Sequence, residues 1–171
     1  MMNSPFSRLL TAMQDRIGAL VPEVACVDQD RGQLNTKGRP AVQWPCVLID
    51  METFEYDNMG SNVQTAEGTV CVLLGFAPNG PTASGTPEEY KEAALGYYEL
   101  EWKLNKALHG WSAGAGFGYL IRENARSQPR TDGYRVREIR YSLAFDDRST
   151  QAAVTYVAVT PVITGELNAG V

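Results

Sequence analysis

The stretch CVLIDMETFEYDNMGSNVQTAEGTVCVLLGF, residues 46–76, decides the fold, because it holds two strand patterns joined by a short turn. Residues 46–57 predict a strand that starts buried and becomes half-exposed. Residues 63–76 predict a second strand, in which alternate apolar side chains share one face: Val70, Val72, Leu74 and Phe76. The connecting NMGSN favours a tight turn, so we expect an antiparallel hairpin.

Charge is unevenly placed along the chain. The first strand of the hairpin carries an acidic patch: Asp50, Glu52, Glu55 and Asp57. Residues 122–140 hold six arginines and three carboxylates, a net +3 in a chain whose formal charge is −5, so the remainder carries −8. We expect the acidic patch to meet a basic patch of a neighbouring subunit: Arg135, Arg137 and Arg140. A solvated strand face would carry the same charges and is the alternative.

Two segments have helical spacing. In the first, Ser4 is placed to cap the helix, Pro5 suits its first position and Pro22 follows its end. Its apolar stripe comprises Phe6, Leu9, Leu10, Met13, Ile17 and Leu20. In the second, Thr86 and Glu89 predict a capping box. Its stripe, expected to lie across the sheet as core, comprises Tyr90, Ala94, Tyr97, Leu100, Leu104, Ala107, Leu108 and Trp111, widened by Tyr98 and Trp102.

The remaining segments complete the architecture. Residues 23–29 predict a short strand, and the polar residues 30–45 a long, mobile loop that protrudes. FGYLIRENARSQPR and RVREIRYSLAFDD predict two strands around the turn TDGY, and in the second strand Ile139, Tyr141, Leu143 and Phe145 share one face.

The predicted fold class is therefore α/β of the α+β type, with two main helices packed on a mixed or antiparallel sheet built from two β-hairpins. Residues 1–147 form the domain. Residues 148–171 are a C-terminal extension, a possible edge strand or arm, with no charge between Arg148 and Glu166.

The glycine-rich HGWSAGAGFGYLIREN, residues 109–124, raises the question of a phosphate-binding loop. Such a loop needs a strand before it and a helix N-terminus after it, because the helix end supplies free N–H groups. Here the glycines follow a helix and precede a strand, and the spacing fits neither GxGxxG nor GxxxxGK[ST]. We interpret GAGFG as a helix stop and a pliant joint.

No catalytic, cofactor-binding or metal-binding residue is predicted. His109 is the chain's one histidine, and its place in the last helical turn suits a cation that interacts with the helix dipole. Cys26, Cys46 and Cys71 lack metal or disulfide spacing and are expected to be buried thiols. We expect no enzymatic activity and no cofactor.

Composition sets further limits. Apolar residues make up 44% and charged residues 20% of the chain, as is typical of globular proteins, and no apolar run is long enough to span a membrane. The N-terminus lacks the pattern of a signal peptide, so we expect the chain to remain in the cytoplasm. Its negative net charge argues against direct reading of nucleic acid.

The order of these elements resembles the tail terminator or tail-completion proteins of long-tailed bacteriophages and prophages. The resemblance covers roughly residues 4–147. It depends on FSRLLTAMQDRI, on WPCVLIDMETFEYD with GTVCVLLGF, on EEYKEAALGYYELEWKLNKALHG and on GYRVREIRYSLAFDD.

The resemblance implies a structural virion protein with no cofactor. Such proteins assemble in the host cytoplasm into a ring, commonly a hexamer, that caps the tail tube, stops its elongation and offers a head-joining surface. The implied partners are other copies of the chain, the tail tube protein and a head-completion or connector protein. The alternatives are another head–tail connector or minor tail protein, and a non-phage cytoplasmic ligand-binding or regulatory α/β domain.

Overall fold

A computed structural model describes residues 4–35, 40–77 and 80–151. The described elements are α1 (Pro5–Leu20), β1 (Cys26–Gln29), β2 (Cys46–Gly60), β3 (Val63–Phe76), α2 (Glu88–Leu108), β4 (Ile121–Ser127) and β5 (Arg135–Asp147). The strands form one open sheet in the order β1-β2-β3-β5-β4. Only β1 and β2 are parallel, and the other neighbours are antiparallel. The predicted α+β class, with its mixed sheet and two hairpins, is confirmed.

The β2–β3 hairpin is longer than its sequence pattern indicates. β2 continues to Gly60, beyond the predicted end at residue 57, whereas β3 has the predicted bounds, and the turn is reduced to Ser61 and Asn62. Both turn residues have positive φ, 52° and 59°, the pattern of a type I′ turn. The glycine of NMGSN therefore ends a strand instead of forming the turn centre.

A β-bulge in β2 between Met51 and Phe54 leaves no room on β3 for a side chain opposite it. Gly68 lies against this bulge. A Cβ atom at Gly68 would lie 2.1 Å from the carbonyl oxygen of Thr53 and 2.6 Å from the ring of Phe54. Glycine at this position is thus required by the close approach of backbone and ring.

Both helices pack on one face of the sheet. Leu9, Met13 and Ile17 of α1 are fully buried there, together with apolar residues of α2 and alternate residues of the central strands. The confirmed members of the predicted α2 stripe are Ala94, Tyr97, Leu100, Leu104, Ala107 and Leu108.

Other stripe positions are not core. Leu20 is 53% exposed, Tyr90 60% and Trp102 58%. Tyr98 is also exposed, while Trp111 is half-buried. Trp102 lies two positions before Leu104, and at about 100° per residue the two side chains project from nearly opposite sides of the helix.

The predicted capping box does not form. Pro87 is the N-cap of α2, which begins at Glu88, and no side chain caps it. The amide of Thr86 instead donates to the carbonyl of Ala83 in a preceding turn. Ser4 does occupy the N-cap of α1 ahead of Pro5, but its side chain makes no capping hydrogen bond.

The opposite face of the sheet is covered by the segment that the sequence predicts to be a protruding loop. Leu34 is buried, and Trp44 stacks on Tyr134 with ring centroids 4.9 Å apart. Arg130 donates to the carbonyl of Leu34 at 2.6 Å. The described parts of residues 30–45 thus pack on the sheet, because its second face is apolar and must be covered; residues 36–39 lie outside the described residues.

The three cysteines are free. Cys46 and Cys71 are buried on this second face, as predicted, whereas Cys26 is half-buried. Burial raises the pKa of both Cys46 and Cys71 to about 12, so both are neutral thiols at physiological pH.

The glycine-rich joint is held in place by the sheet. Gly118 donates to the carbonyl of Ala144 at 2.7 Å, and Asp146 donates to the carbonyl of Gly116 at 2.9 Å. Gly114 and Gly116 have φ of 107° and 87°. The segment follows the C-terminal end of α2 and extends the edge of the sheet beside β5, so it is more firmly bonded than the pliant joint that we expected.

The domain division at residue 147 remains a prediction. Beyond β5 the chain turns towards the hairpin, and the Thr150 hydroxyl donates to the carbonyl of Asn62 at 2.9 Å. Residues 152–171, which hold most of the predicted extension, lie outside the described residues. Neither described helix is long and apolar enough to cross a membrane.

We expect Gly68→Ala to destabilise the domain by about 1–3 kcal/mol, since the new methyl group forces β2 and β3 apart at the bulge. Gly96→Ala is the matched control. An added Cβ at Gly96 meets nothing within 4 Å, and alanine is the better helix former by about 1 kcal/mol. Urea unfolding measures both changes; equal stability of the two variants would contradict the steric account.

Candidate interaction surfaces

A charged network crosses the second face of the sheet. Glu138 on β5 is only 4% exposed and accepts hydrogen bonds from Arg126, Gln128 and Arg140. Arg140 also forms a bidentate pair with Glu52 of β2, at 2.7 and 2.9 Å. The network therefore links β2, β5 and β4 within one subunit.

The carboxylate of Glu138 is stabilised by its donors. Burial alone would raise its pKa, but the hydrogen bonds from Arg126, Arg140 and Gln128 outweigh burial and hold the pKa of Glu138 below its ordinary value. The hydrogen bond to Glu138 in turn raises the pKa of Arg140. Both groups are charged at neutral pH.

The three arginines predicted to form one basic patch lie on two faces of the sheet. Arg140 belongs to the network on the second face, whereas Arg137 forms a bidentate pair with Glu101 of α2 on the helix face. The Arg135 guanidinium lies 5.0 Å from the centre of the Tyr97 ring. Alternation along β5 causes the separation, because an odd spacing in a strand places side chains on opposite faces.

The acidic interface candidates also differ in their surroundings. Glu52 is paired within the subunit, and Asp50 lies opposite Cys71 in the strand register. Glu55 and Asp57 are exposed near the end of the hairpin and form no salt bridge among the described residues. Glu55 lies directly opposite Glu67 on β3, a repulsive cross-strand pair. Glu55 and Asp57 are thus the exposed interface candidates without an ion pair among the described residues; Asp50 and Arg135 also lack one but are half-buried. The interface role itself stays a prediction.

His109 lies at the C-terminal end of α2, as the sequence predicts. It is the C-cap residue of α2, and its Nδ1 accepts a hydrogen bond from the backbone N–H of Arg122 at 3.0 Å. Through this bond the imidazole connects the helix end to β4. Among the described residues, no group of three or more His, Cys, Asp or Glu side chains is placed to hold a metal ion.

Two exposed apolar regions were missed by the sequence analysis. The first is a groove of about 420 Å³ between the end of α1 and the outer side of α2, lined by Leu20, Pro22, Glu23, Trp102, Lys103, Lys106 and Ala107. The second is the end of the β2–β3 hairpin, where Tyr56 is 43% and Met59 68% exposed. The helical phase of Trp102, opposite to that of Leu104, was the signal available for the groove.

No protein-family model matches the chain, and no curated protein matches it either. Among solved structures, a chain of the "Virion of native gene transfer agent (GTA) particle" is similar, with 13% identity and a TM-score of 0.49 over 85% of this chain and 100% of that chain. A similarity this low shows neither a shared family nor a shared function.

We expect the stability supplied by Glu138 to be lost in acid. Its folded pKa lies below the ordinary 4.5, so the unfolded chain takes up the proton first as pH falls. This contribution is fully present above about pH 5.5 and disappears as pH falls through 4.5 and then through the folded pKa. Urea unfolding from about pH 7 to 3 should show wild type approaching Glu138→Gln in stability. An unchanged difference across this range would contradict the account; the exposed Glu99→Gln is the control.

Arg137→Glu is expected to destabilise the subunit by about 3 kcal/mol, because it leaves Glu101 facing a second carboxylate in a largely buried pair. Arg122→Glu is the control, since this exposed side chain forms no ion pair among the described residues and should shift stability by about 0.5 kcal/mol or less. Combining Arg137→Glu with Glu101→Arg should recover part of the loss. Thermal unfolding of wild type and these three variants measures the changes. Equal melting temperatures for Arg137→Glu and Arg122→Glu would refute the stabilising pair of Arg137 with Glu101.

Proposed function

We propose that this protein is a structural component of a bacteriophage or prophage virion that caps the tail tube as a ring. In this role it ends tail elongation and provides the surface that joins the head. It acts without a cofactor and without catalysing a reaction. Its partners are further copies of itself, commonly six in the ring, the tail tube protein and a head-completion protein, with assembly in the host cytoplasm.

The observation that carries the proposal is that the segments responsible for the resemblance fold as the resemblance implies. FSRLLTAMQDRI lies in α1, and EEYKEAALGYYELEWKLNKALHG spans α2. The central and late segments form β2, β3 and β5 of one open sheet, with both helices on one face. The resemblance is thus supported over elements from both ends of the described domain.

The distribution of polar and apolar groups supports a binding role. Of the described ion pairs that are best shielded from water, Arg137 with Glu101 joins β5 to α2, and Arg140 with Glu138 lies within β5. Large apolar side chains are instead exposed at the groove and at the hairpin end. Exposed apolar groups clustered in this way are typical of surfaces that bind other proteins.

Electron microscopy of tails made without the gene tests the proposal. If the protein ends elongation, tubes should be longer than wild type and uneven in length, and wild-type protein supplied from a plasmid should restore one length. His109→Ala should restore it equally well, since it removes one hydrogen bond worth about 1 kcal/mol.

The other outcomes separate the alternatives. Tails of normal length that lack heads would favour a head-completion connector. Normal tails joined to heads would exclude both roles and favour the non-phage ligand-binding domain. A hydrolytic activity of the purified protein that His109→Ala abolishes would refute the proposed absence of catalysis.

A further inference from the structure

The groove between α1 and α2 exposes apolar surface that the described residues leave uncovered. Leu20 and Trp102 lie on its two sides and are each more than half exposed. Lys106 lies over the Trp102 ring at 5.3 Å, and Lys103 is paired with Glu23 at the rim. Lys106 forms no salt bridge among the described residues, so the groove combines an apolar floor with one uncompensated cation.

The end of the β2–β3 hairpin complements the groove in both apolar surface and charge. Tyr56 and Met59 expose apolar side chains, and Glu55 and Asp57 beside them carry negative charges without a described cationic partner. Apolar groups would thus meet apolar groups, and carboxylates would meet the ammonium group of Lys106. Opposite charges at such a contact favour the correct register and disfavour like-to-like pairing.

The two surfaces lie at opposite ends of the subunit. Phe6, in the first turn of α1, contacts Phe54 near the hairpin end, with ring centroids 5.1 Å apart. Leu20 ends the same helix 14 residues further on, about 21 Å away at 1.5 Å per residue. The hairpin is fixed by pairing with β5 as far as Gln64, so it cannot turn back into the groove of its own subunit.

We propose that the hairpin end of one copy, residues 55–62, docks into the α1–α2 groove of the next copy. The proposal rests on the proposed ring function and names the two surfaces that would build the ring. The contact is heterologous, since each copy offers one hairpin and one groove, and repetition closes a ring when the rotation between copies allows it. In this proposal two of the four acidic candidates, Glu55 and Asp57, keep an interface role, and Lys106 replaces the arginines of β5 as their partner.

Two variants of the full chain isolate the two surfaces. The groove variant combines Trp102→Ala with Lys106→Glu, and the hairpin variant combines Met59→Ser with Asp57→Lys. All four side chains are exposed, so both proteins should melt like wild type. Sedimentation should show association weakened at least tenfold in each. The groove variant loses the aromatic side chain of the contact, and the hairpin variant loses the apolar side chain and reverses the charge that would meet the groove. Tyr90→Ala, an equally exposed aromatic on α2, is the control and should assemble normally.

Mixing the two variants gives the sharpest result. The groove variant keeps its hairpin and the hairpin variant keeps its groove, so an equal mixture should form a one-to-one dimer and nothing larger. A mixture that stays monomeric would overturn the proposal. So would variants that assemble like wild type, although the ring function would then stand.

Two further measurements complete the test. Deleting residues 152–171 should leave assembly through the groove intact. If the deletion and the groove variant both dissociate the assembly and the hairpin variant does not, the C-terminal segment is the occupant of the groove and the hairpin proposal fails. A wild-type protein that remains monomeric at high concentration, alone and with purified tail tubes, would refute the ring and this contact together.

Discussion

The fold depends on one constraint, which is that β3 is apolar on both of its faces. From Val70 to Phe76 every side chain of this central strand is buried or, at Gly75, absent. A sheet with such a strand at its centre cannot leave either face in water, because each exposed apolar side chain would forfeit about 1.5–3 kcal/mol of burial. The helices cover one face, and the segment around Leu34 and Trp44 covers the other.

The elements themselves were largely predictable from the sequence. Alternation in β3 and β5, helical spacing in both helices and the turn residues between strands are local patterns, and a local pattern fixes the type of an element. The cover over the second face was not predictable in this way. Leu34 is one apolar residue in a polar segment, and the residues that surround it or bond to it, among them Leu73 and Arg130, are distant in the chain.

The candidate surfaces were even less predictable from local sequence patterns. Seven charged residues were selected by sign and proximity in sequence, yet the structure distributes them between internal pairs and free positions according to strand parity and long-range neighbours. Arg137 pairs with Glu101, which is 36 residues away in the chain, and Arg140 pairs with Glu52, which is 88 residues away. Likewise, the helical period identifies the side of α2 that can be buried, but only the neighbouring elements determine whether Trp102 is covered.

The position of Arg140 has a mechanical consequence. Its side chain reaches from β5 to β2 over the intervening β3 while also binding Glu138, which binds Arg126 on β4. Tension applied along the hairpin would load β2 and β3 in shear against β5. The ion pairs of Arg140 would resist this shear together with the backbone hydrogen bonds. Both sets of bonds would therefore have to break before one strand could slide past the next. A sheet with such cross-strand ion pairs resists pulling better than a sheet held by backbone hydrogen bonds alone. High salt would weaken the ion pairs but leave the backbone hydrogen bonds intact.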